Sequence, residues 1–350
     1  QERSMASRRP TIEDVASLAG VSIKTVSRVV NREPNVREST QQKVGRAIEQ
    51  LGYKPNPSAQ NLASHRARLI VLIYDDPSAY SAPSSGYIVH LQEGALKACR
   101  ERGFELLIFP CNYRDANVGD EIQELMDRAR PSGIILAAPL SNMPVIVDAV
   151  RATDVPCVRL STGSENGKEY GVATNDREFS AEMTRYLASL GHERIAFIKG
   201  DKNAKAVCNR FDGYRDGLQQ SGIEYSDELV AEGDNSIGAG EQCAEQLLRL
   251  EPRPTAIFSA NDDMAAGAVR AANRMGISIP HDLSIAGCDD ISLAQQIFPS
   301  LTTIRQPLRS MAEAAAKALI DRSRGQPPEP QLDVIPAKIK VRESTGPVPK

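Results

Sequence analysis

Apolar residues step at three- and four-residue intervals through three short stretches near the N-terminus. They then give way to a long alternation of unbroken apolar runs and helical stripes. In the first stretch Ile12, Val15, Ala16 and Ala19 fall at i, i+3, i+4 and i+7, one face of a helix. Thr11 precedes it as an N-cap, Glu13 and Asp14 occupy the first turn where the helix dipole favours negative charge, and Gly20 ends it and supplies a turn. Ser22 caps a second helix whose inward face is Val26, Val29 and Val30. A third helix has Val44, Ala47, Ile48 and Leu51 on one face and Gly52 at its end. Three such helices make an all-α unit of about 50 residues, small enough to require tight packing.

Beyond residue 66 the period changes. Residues 69–74 (LIVLIY) are apolar without alternation, as a strand buried on both faces requires. Helical patterns over 88–102, 118–130 and 145–151 alternate with strand patterns over 104–109, 133–137 and 157–160. The alternation then repeats, with helices over 177–190, 210–220, 237–250 and 264–275 and strands over 195–198, 229–232, 256–258 and 284–287. From Thr302 onward come one more strand, a helix over 308–324, a Pro-rich turn (Gln326-Pro327-Pro328) and a final strand region to Arg342. Alternation of this kind builds doubly wound parallel sheets, and two similar α/β lobes imply a cleft suited to a small ligand.

Between these regions lies Tyr53-Lys54-Pro55-Asn56-Pro57-Ser58-Ala59-Gln60-Asn61-Leu62-Ala63. Pro55 blocks continuation of the third helix, while Asn56 as a cap and Pro57 at the first helical position suit a short helix over 57–63. A helix this short is marginal in water, so it is expected to order only when something holds it. Leu62 then projects either as an apolar wedge for a minor-groove step or as the one buried residue of a plain linker.

Composition sharpens the division. At 350 residues and 41% hydrophobic the chain can build two or three packed units. No run of about 18 apolar residues exists to span a membrane, and QERSMASRRP carries no apolar segment of a signal peptide. Residues 1–10 read as a disordered tail, and those before Met5 as a cloning remnant. Cys99, Cys111, Cys157, Cys208, Cys243 and Cys288 are scattered without CxxC or a His partner at ligand spacing, so buried thiols in a reducing cytoplasm are expected. The net charge of −3 conceals +5 on residues 1–66 (11 Lys/Arg against 6 Asp/Glu) and −8 on the remainder. A basic head on an acidic body directs any polyanion to the head alone. There the second helix presents Ile23, Lys24, Thr25, Ser27, Arg28 and, past its end, Arg32 opposite its valines. Hydroxyls for phosphates and Lys or Arg for guanine edges suit a DNA major groove; an ordinary amphipathic pair with a solvated charged face is the alternative.

Catalytic signatures are missing. GxSxG and HExxH do not occur, Gly163–Lys168 (GSENGK) is one residue short of a P-loop with Glu169 at its Ser/Thr position, and the four His are dispersed. No cofactor, metal or enzymatic activity is expected. Polar residues do stand where a cleft ligand would meet them: Arg210 opening RFDGY after a loop, Asn261 and Asp262 after the strand over 256–258, and Asp289 after that over 284–287. A guanidinium fork and carboxylate acceptors suit vicinal hydroxyls or polar ring atoms, although each residue alone is equally a cap or an ion-pair partner, with Asp262 the expected cap of the following helix.

The runs TIEDVASLAGVSIKTVSRVVN, LGYKPNPSAQNLA and GCDDISLAQQIFPSLTTIRQP, agreeing in order and spacing over residues 11–343, resemble the LacI/GalR (lac repressor / purine repressor) family. The resemblance implies a helix-turn-helix head over 11–55, a hinge helix over 56–66 and a periplasmic-binding-protein-like core, with one lobe from 67–172 plus 305–334 and the other from 173–304 plus 335–345. It implies crossings between lobes near Ala173, Ile304 and Ile335. It also implies a homodimeric, cytoplasmic, nucleoid-associated repressor on double-stranded, near-palindromic operator DNA, controlled by a small effector of sugar type. Ile23, Lys24 and Arg28 become the base readers, Thr11, Ser22, Thr25, Ser27 and Asn31 the backbone contacts, and Asn56, Ser58, Ala59 and Leu62 the hinge contacts. Arg210, Asn261 and Asp289 match the family's main effector contacts, with Asp75, Asp76 and Gln306 nearby.

The chain departs from better-known members at three cleft positions. Asn235 stands where they carry a stacking aromatic, Ser161 where one carries an Asp, and Ala137 where one carries an Asn. With no Trp and 5% aromatics, only Tyr74, Tyr80 or Tyr87 is at hand to substitute. DPSAYSAPSSGY, at 76–87, is either a loop over the cleft or a surface excursion. No heptad repeat occurs near Lys350, so a tetramerising coiled coil is not expected. A solute-binding protein sharing the two-lobed body, an enzyme with an appended head, and an activator or a regulator dependent on a partner protein are the competing readings.

Overall fold

The computed structural model describes residues 10–30, 36–53, 68–76, 86–162, 170–329 and 331–348. Two compact units divide the chain at Ala67/Arg68.

In the N-terminal unit α1 (Ile12–Ala19), α2 (Ile23–Val30) and α3 (Glu38–Leu51) enclose a core of Val15, Ala16, Ala19, Val26, Val44 and Ala47. Thr11 and Asp14 form a reciprocal capping box, the Thr11 amide donating to Asp14 at 2.7 Å. Gly20 (φ 62°) and Gly52 (φ 61°) end α1 and α3 in the left-handed conformation, where a side chain would be strained. The next amides, of Val21 and Tyr53, reach back to Ala16 O and Ile48 O, closing each helix end and folding an apolar residue onto the core.

The C-terminal unit holds two sheets. The first contains β1 (Leu69–Asp75), β2 (Glu105–Cys111), β3 (Gly133–Leu136), β4 (Cys157–Leu160), β5 (Gly171–Ala173) and β11 (Leu332–Val334) in the order β11-β5-β4-β3-β1-β2, all parallel. Around it pack α4 (Gly86–Arg102), α5 (Val118–Ala129), α6 (Pro144–Arg151) and the late α12 (Leu308–Ser323). The second sheet contains β6 (Ile195–Lys199), β7 (Val230–Glu232), β8 (Ala256–Ser259), β9 (Ser284–Asp289), β10 (Thr302–Arg305) and β12 (Lys338–Lys340), ordered β12-β10-β9-β8-β6-β7, with only β12 antiparallel among the described pairings. Its helices are α7 (Asp176–Ser189), α8 (Lys205–Gln220), α9 (Ile237–Leu248), α10 (Asp262–Arg274) and the one-turn α11 (Ser292–Gln296). The chain passes from one sheet to the other after β5, after β10 and after β11.

Unbroken apolar runs become the central strands: Ile70 to Ile73 are fully buried, as is every residue of β8. Where α9 meets α10, glycine permits close backbone approach. A Cβ on Gly267 would sit 2.2 Å from Ile237 O.

Several elements differ from the sequence expectation. β5 and α11 were not anticipated, because three apolar residues and one helical turn carry no periodicity. α8 begins at Lys205, so Arg210 lies one turn and more inside a helix rather than after a loop; Ala206, Val207 and Arg210 form its buried face, and a buried arginine reads as polar in a hydrophobic pattern. Asp262 is not the cap of α10. Asn261 is, its side chain accepting from Met264 N at 2.9 Å, while Asp262 enters the first turn and is buried. Cys99, Cys111, Cys243 and Cys288 are buried thiols, whereas Cys157 and Cys208 are only half-buried.

Candidate functional site

On the N-terminal unit, α2 turns Val26 fully inward and leaves Ser22, Ile23, Lys24 and Arg28 exposed, with Thr25 and Ser27 half-exposed. Ile23 keeps 47% of its surface in solvent, a high value for an aliphatic residue. Ser22 caps the helix by accepting from Thr25 N at 3.1 Å, and its hydroxyl meets that of Thr25 at 2.9 Å. Thr11 is likewise committed to its capping box, though only half-buried. These hydroxyls therefore hold the helix starts and still reach solvent, as a backbone-contacting hydroxyl must. Asn31, Asn56, Ser58, Ala59 and Leu62, and with them the hinge helix and the tail over 1–9, lie outside the described residues.

In the C-terminal unit a cleft of about 690 Å³ opens between the two sheets. Its floor is a buried charge cluster. Arg210, from α8, donates to Asp176 at 2.8 Å and to Ala260 O at 2.6 Å, and Asp289 lies 3.7 Å from it. Two carboxylates thus share one guanidinium out of contact with water. Burial pushes Asp289 up to about 7, against the opposing pull of Arg210 and of the Gln306 amide that donates to it. Burial likewise raises Asp176, with Arg210 opposing. Asp262, further in, accepts from Thr303 at 2.5 Å and from Ile291 N at 3.0 Å, pinning β10 and the segment after β9; burial and the charge of Asp289 hold it well above the usual carboxylate range.

Loops from both lobes complete the lining. Asn235, at φ 74°, accepts from Asp201 N at 3.3 Å, and its carbonyl accepts from Asn261 Nδ2 at 2.9 Å. It closes onto Gly200, where a Cβ would fall 1.9 Å from Asn235 Oδ1. Asn235 and Asn261 therefore tie together the three loops that follow β6, β7 and β8. Lys199 binds Glu232 at 2.8 Å and lies 4.0 Å above the Phe211 ring. Across the cleft, Tyr113, after β2, donates to Asp201 at 3.0 Å, a direct bond from one lobe to the other. The Tyr87 hydroxyl is buried and makes no hydrogen bond of normal geometry; burial pushes its pKa up to about 12, with Ser161 close enough to pull the other way. Ser161 (φ 54°), Asn235 (φ 74°) and Asp289 (φ 127°) all line the cleft with left-handed backbones that non-glycine residues seldom adopt. Strain of this kind gathers at binding and switching sites.

Asp75, Ser161, Arg210, Asn235, Asn261 and Asp289 are thus brought together around one cavity. Gln306 stands behind Asp289 rather than in the lining, and Asp76 is held at the end of β1 by its amide bond to Cys111 O at 2.9 Å. Ala137 is fully buried, and the adjacent Ala138 and Pro139 meet the cavity instead. Sequence reading passed over Tyr113, Arg114, Lys199, Asp201, Lys202, Glu232 and Asp234. Their only sequence signal was position just beyond a strand's carboxyl end, the general site of ligands in parallel sheets. The one buried histidine of the described residues, His192, bonds Thr255 and Ser284 at 3.0 Å in the second lobe's frame.

A three-helix head with an exposed cationic second helix, followed in the chain by a two-lobed α/β core around a polar cleft, defines a ligand-responsive DNA-binding regulator. Residues 11–56 match the family model for bacterial regulatory proteins of the lacI family, and residues 184–345 match that for a periplasmic binding protein-like domain. The HTH-type transcriptional regulator DegA of Bacillus subtilis (strain 168) is 32% identical over 97% of this chain and 99% of its own. The HTH-type transcriptional regulator CelR of Thermobifida fusca is 31% identical over 96% and 98%. Among solved structures, the lac repressor dimer bound to operator and the anti-inducer ONPF aligns over 97% of this chain and 100% of its own, with TM-score 0.78 and 28% identity. A CelR–cellobiose complex aligns over 96% and 100%, with TM-score 0.73 and 30% identity. The chain belongs to the lacI family of bacterial regulatory proteins, and is a DNA-binding transcriptional regulator rather than an enzyme.

Proposed function

We propose that the protein is a cytoplasmic, nucleoid-associated homodimeric repressor that binds a near-palindromic operator and is controlled by a small, sugar-like molecule held in the cleft. The observation that carries the DNA side is the outer face of α2, with Ile23, Lys24 and Arg28 in solvent directly opposite the buried Val26. In this reading those three contact base edges, and Thr11, Ser22, Thr25, Ser27 and Asn31 hold the backbone. Residues 56–66 act as a hinge in which Asn56, Ser58 and Ala59 meet DNA and Leu62 enters the minor groove. The regulatory core is one lobe from 67–172 plus 305–334 and another from 173–304 plus 335–345. Asp75, Asp76, Ser161, Arg210, Asn235, Asn261, Asp289 and Gln306 form or support its ligand site. The relatives support the ligand side: a lac repressor structure holds ONPF, and a CelR structure holds cellobiose.

The test is selection of duplexes from a random pool by the full chain, followed by titration at several salt concentrations. The expected outcome is an inverted repeat whose half-sites sit about one helical turn apart or a multiple of it, with affinity falling steeply as salt rises. Recovery of no motif, or of a single half-site bound by a monomer, overturns the reading. Adding ligand to the same titration gives the sign of control, with a coupling of about 5- to 150-fold expected.

A further inference from the structure

The polar groups of the cleft are unevenly committed, and the imbalance selects among ligands. Arg210 is shared by Asp176 at 2.8 Å and Asp289 at 3.7 Å, so the floor sets one guanidinium against two acids. Lys199 is taken by Glu232 at 2.8 Å. Arg114 and Lys202, both exposed, are the other cations in the lining, which also contains Asp75, Asp201 and Asp234. A ligand carboxylate or phosphate would be drawn in among more acids than cations, and like charges brought together across a binding surface lower affinity. Stacking is not provided at position 235, where the asparagine is spent tying loops. What the cleft does offer is the buried Tyr87 hydroxyl, which lacks a hydrogen bond and lines the cavity beside Ser161. A buried hydroxyl left unanswered weakens the empty state, and a ligand hydroxyl answers it.

We propose that the cleft takes an uncharged, hydroxyl-rich ligand whose hydroxyls are read by Asp289 and the Tyr87 hydroxyl, and that it rejects the carboxylated and phosphorylated forms of the same compound. This rests on the cleft being the effector site.

The experiment is a thermal-shift series on the full chain with glucose, galactose, ribose and cellobiose, each mono-sugar paired with its acid or phosphate (glucuronate, galacturonate, glucose 6-phosphate, ribose 5-phosphate). It is repeated on Tyr87→Phe and Asp289→Asn. A neutral sugar is expected to raise Tm while its charged counterpart does not. Tyr87→Phe should leave the Tm of the unliganded protein equal or higher and weaken the sugar about two- to tenfold, as loss of one hydrogen bond requires. Three results overturn the proposal: a charged sugar that stabilises where its neutral parent does not, silence from every neutral sugar, or a clear drop in unliganded Tm in Tyr87→Phe. A charged hit abolished by Asp289→Asn removes the ligand class and leaves the cleft as the site. A hit of full strength in both variants removes the cleft itself.

Discussion

Replacing Arg210 with methionine keeps the length and apolar stem of the side chain and deletes the charge. The guanidinium is buried, donates to Asp176 at 2.8 Å and to Ala260 O at 2.6 Å, and is the cation nearest Asp289. Its loss strands two carboxylates that already carry raised pKa values from burial. Breaking a buried ion pair by removing one partner costs about 3–5 kcal/mol, because the remaining charge is uncompensated. The carboxylates can escape by taking up protons, so the loss depends on pH. In the variant their folded pKa values rise further above the unfolded value of about 3.9. The folded state then holds more protons than the unfolded one across a wider window, and stability falls as pH rises through it. Urea denaturation of wild type and Arg210→Met at pH 5.5 and pH 8 should show a loss of about 3–5 kcal/mol at pH 8 and a smaller one at pH 5.5. Adding Asp176→Asn to the variant should recover much of it, since one stranded charge is gone. An equal loss at both pH values with no recovery would refute the account and reduce Arg210 to a packing residue.

Arg28→Ala should cost about 1–3 kcal/mol of operator binding and relax specificity at one base pair, measured by repeating the duplex selection; uniform weakening on all sequences would make it a phosphate contact. Thr11→Ala removes one half of the capping box and should cost the head about 1 kcal/mol, read as faster hydrogen exchange at the amides of α1. Gly267→Ala places a methyl against Ile237 O and Glu241 N and should lower the thermal midpoint of the core by several degrees, through overpacking of about 1–3 kcal/mol. Asp289, held near 7 by burial, makes the wild-type core lose stability as pH rises from about 5 to 8; Asp289→Asn should flatten that slope of Tm against pH, and an unchanged slope would assign it to other groups.

The helices of the head were readable because each carries its own start and stop: Thr11 with Asp14 at one end, Gly20 at the other, a three-four period between. The central strands were readable because a strand covered on both faces needs an unbroken apolar run, which Ile70 to Ile73 and Ala256 to Phe258 supply. The cleft was only half readable. Arg210, Asn261 and Asp289 stood out by residue type and by resemblance, but what they do depends on distant partners. Asn261 spends its side chain capping α10 and holding Asn235, and Asp262 reaches Thr303, 41 positions away. Tyr113 and Asp201 meet across 88 positions in loops that have no period, so no local pattern marks either. Local rules report how an element begins and which face it hides. They are silent on which loop tips from separate strands converge.

The late return of the chain to the first sheet bears on synthesis. That lobe's core includes Leu308, Met311, Ala312, Ala315 and Leu319 from α12, and its outermost strand is β11. While the ribosome is still making the second lobe, the first therefore stands with one apolar flank uncovered and must wait more than a hundred residues for the helix that seals it. A premature stop a few dozen codons before the end would for that reason strike the lobe translated first, and the truncated product should present that open flank to chaperones and proteases.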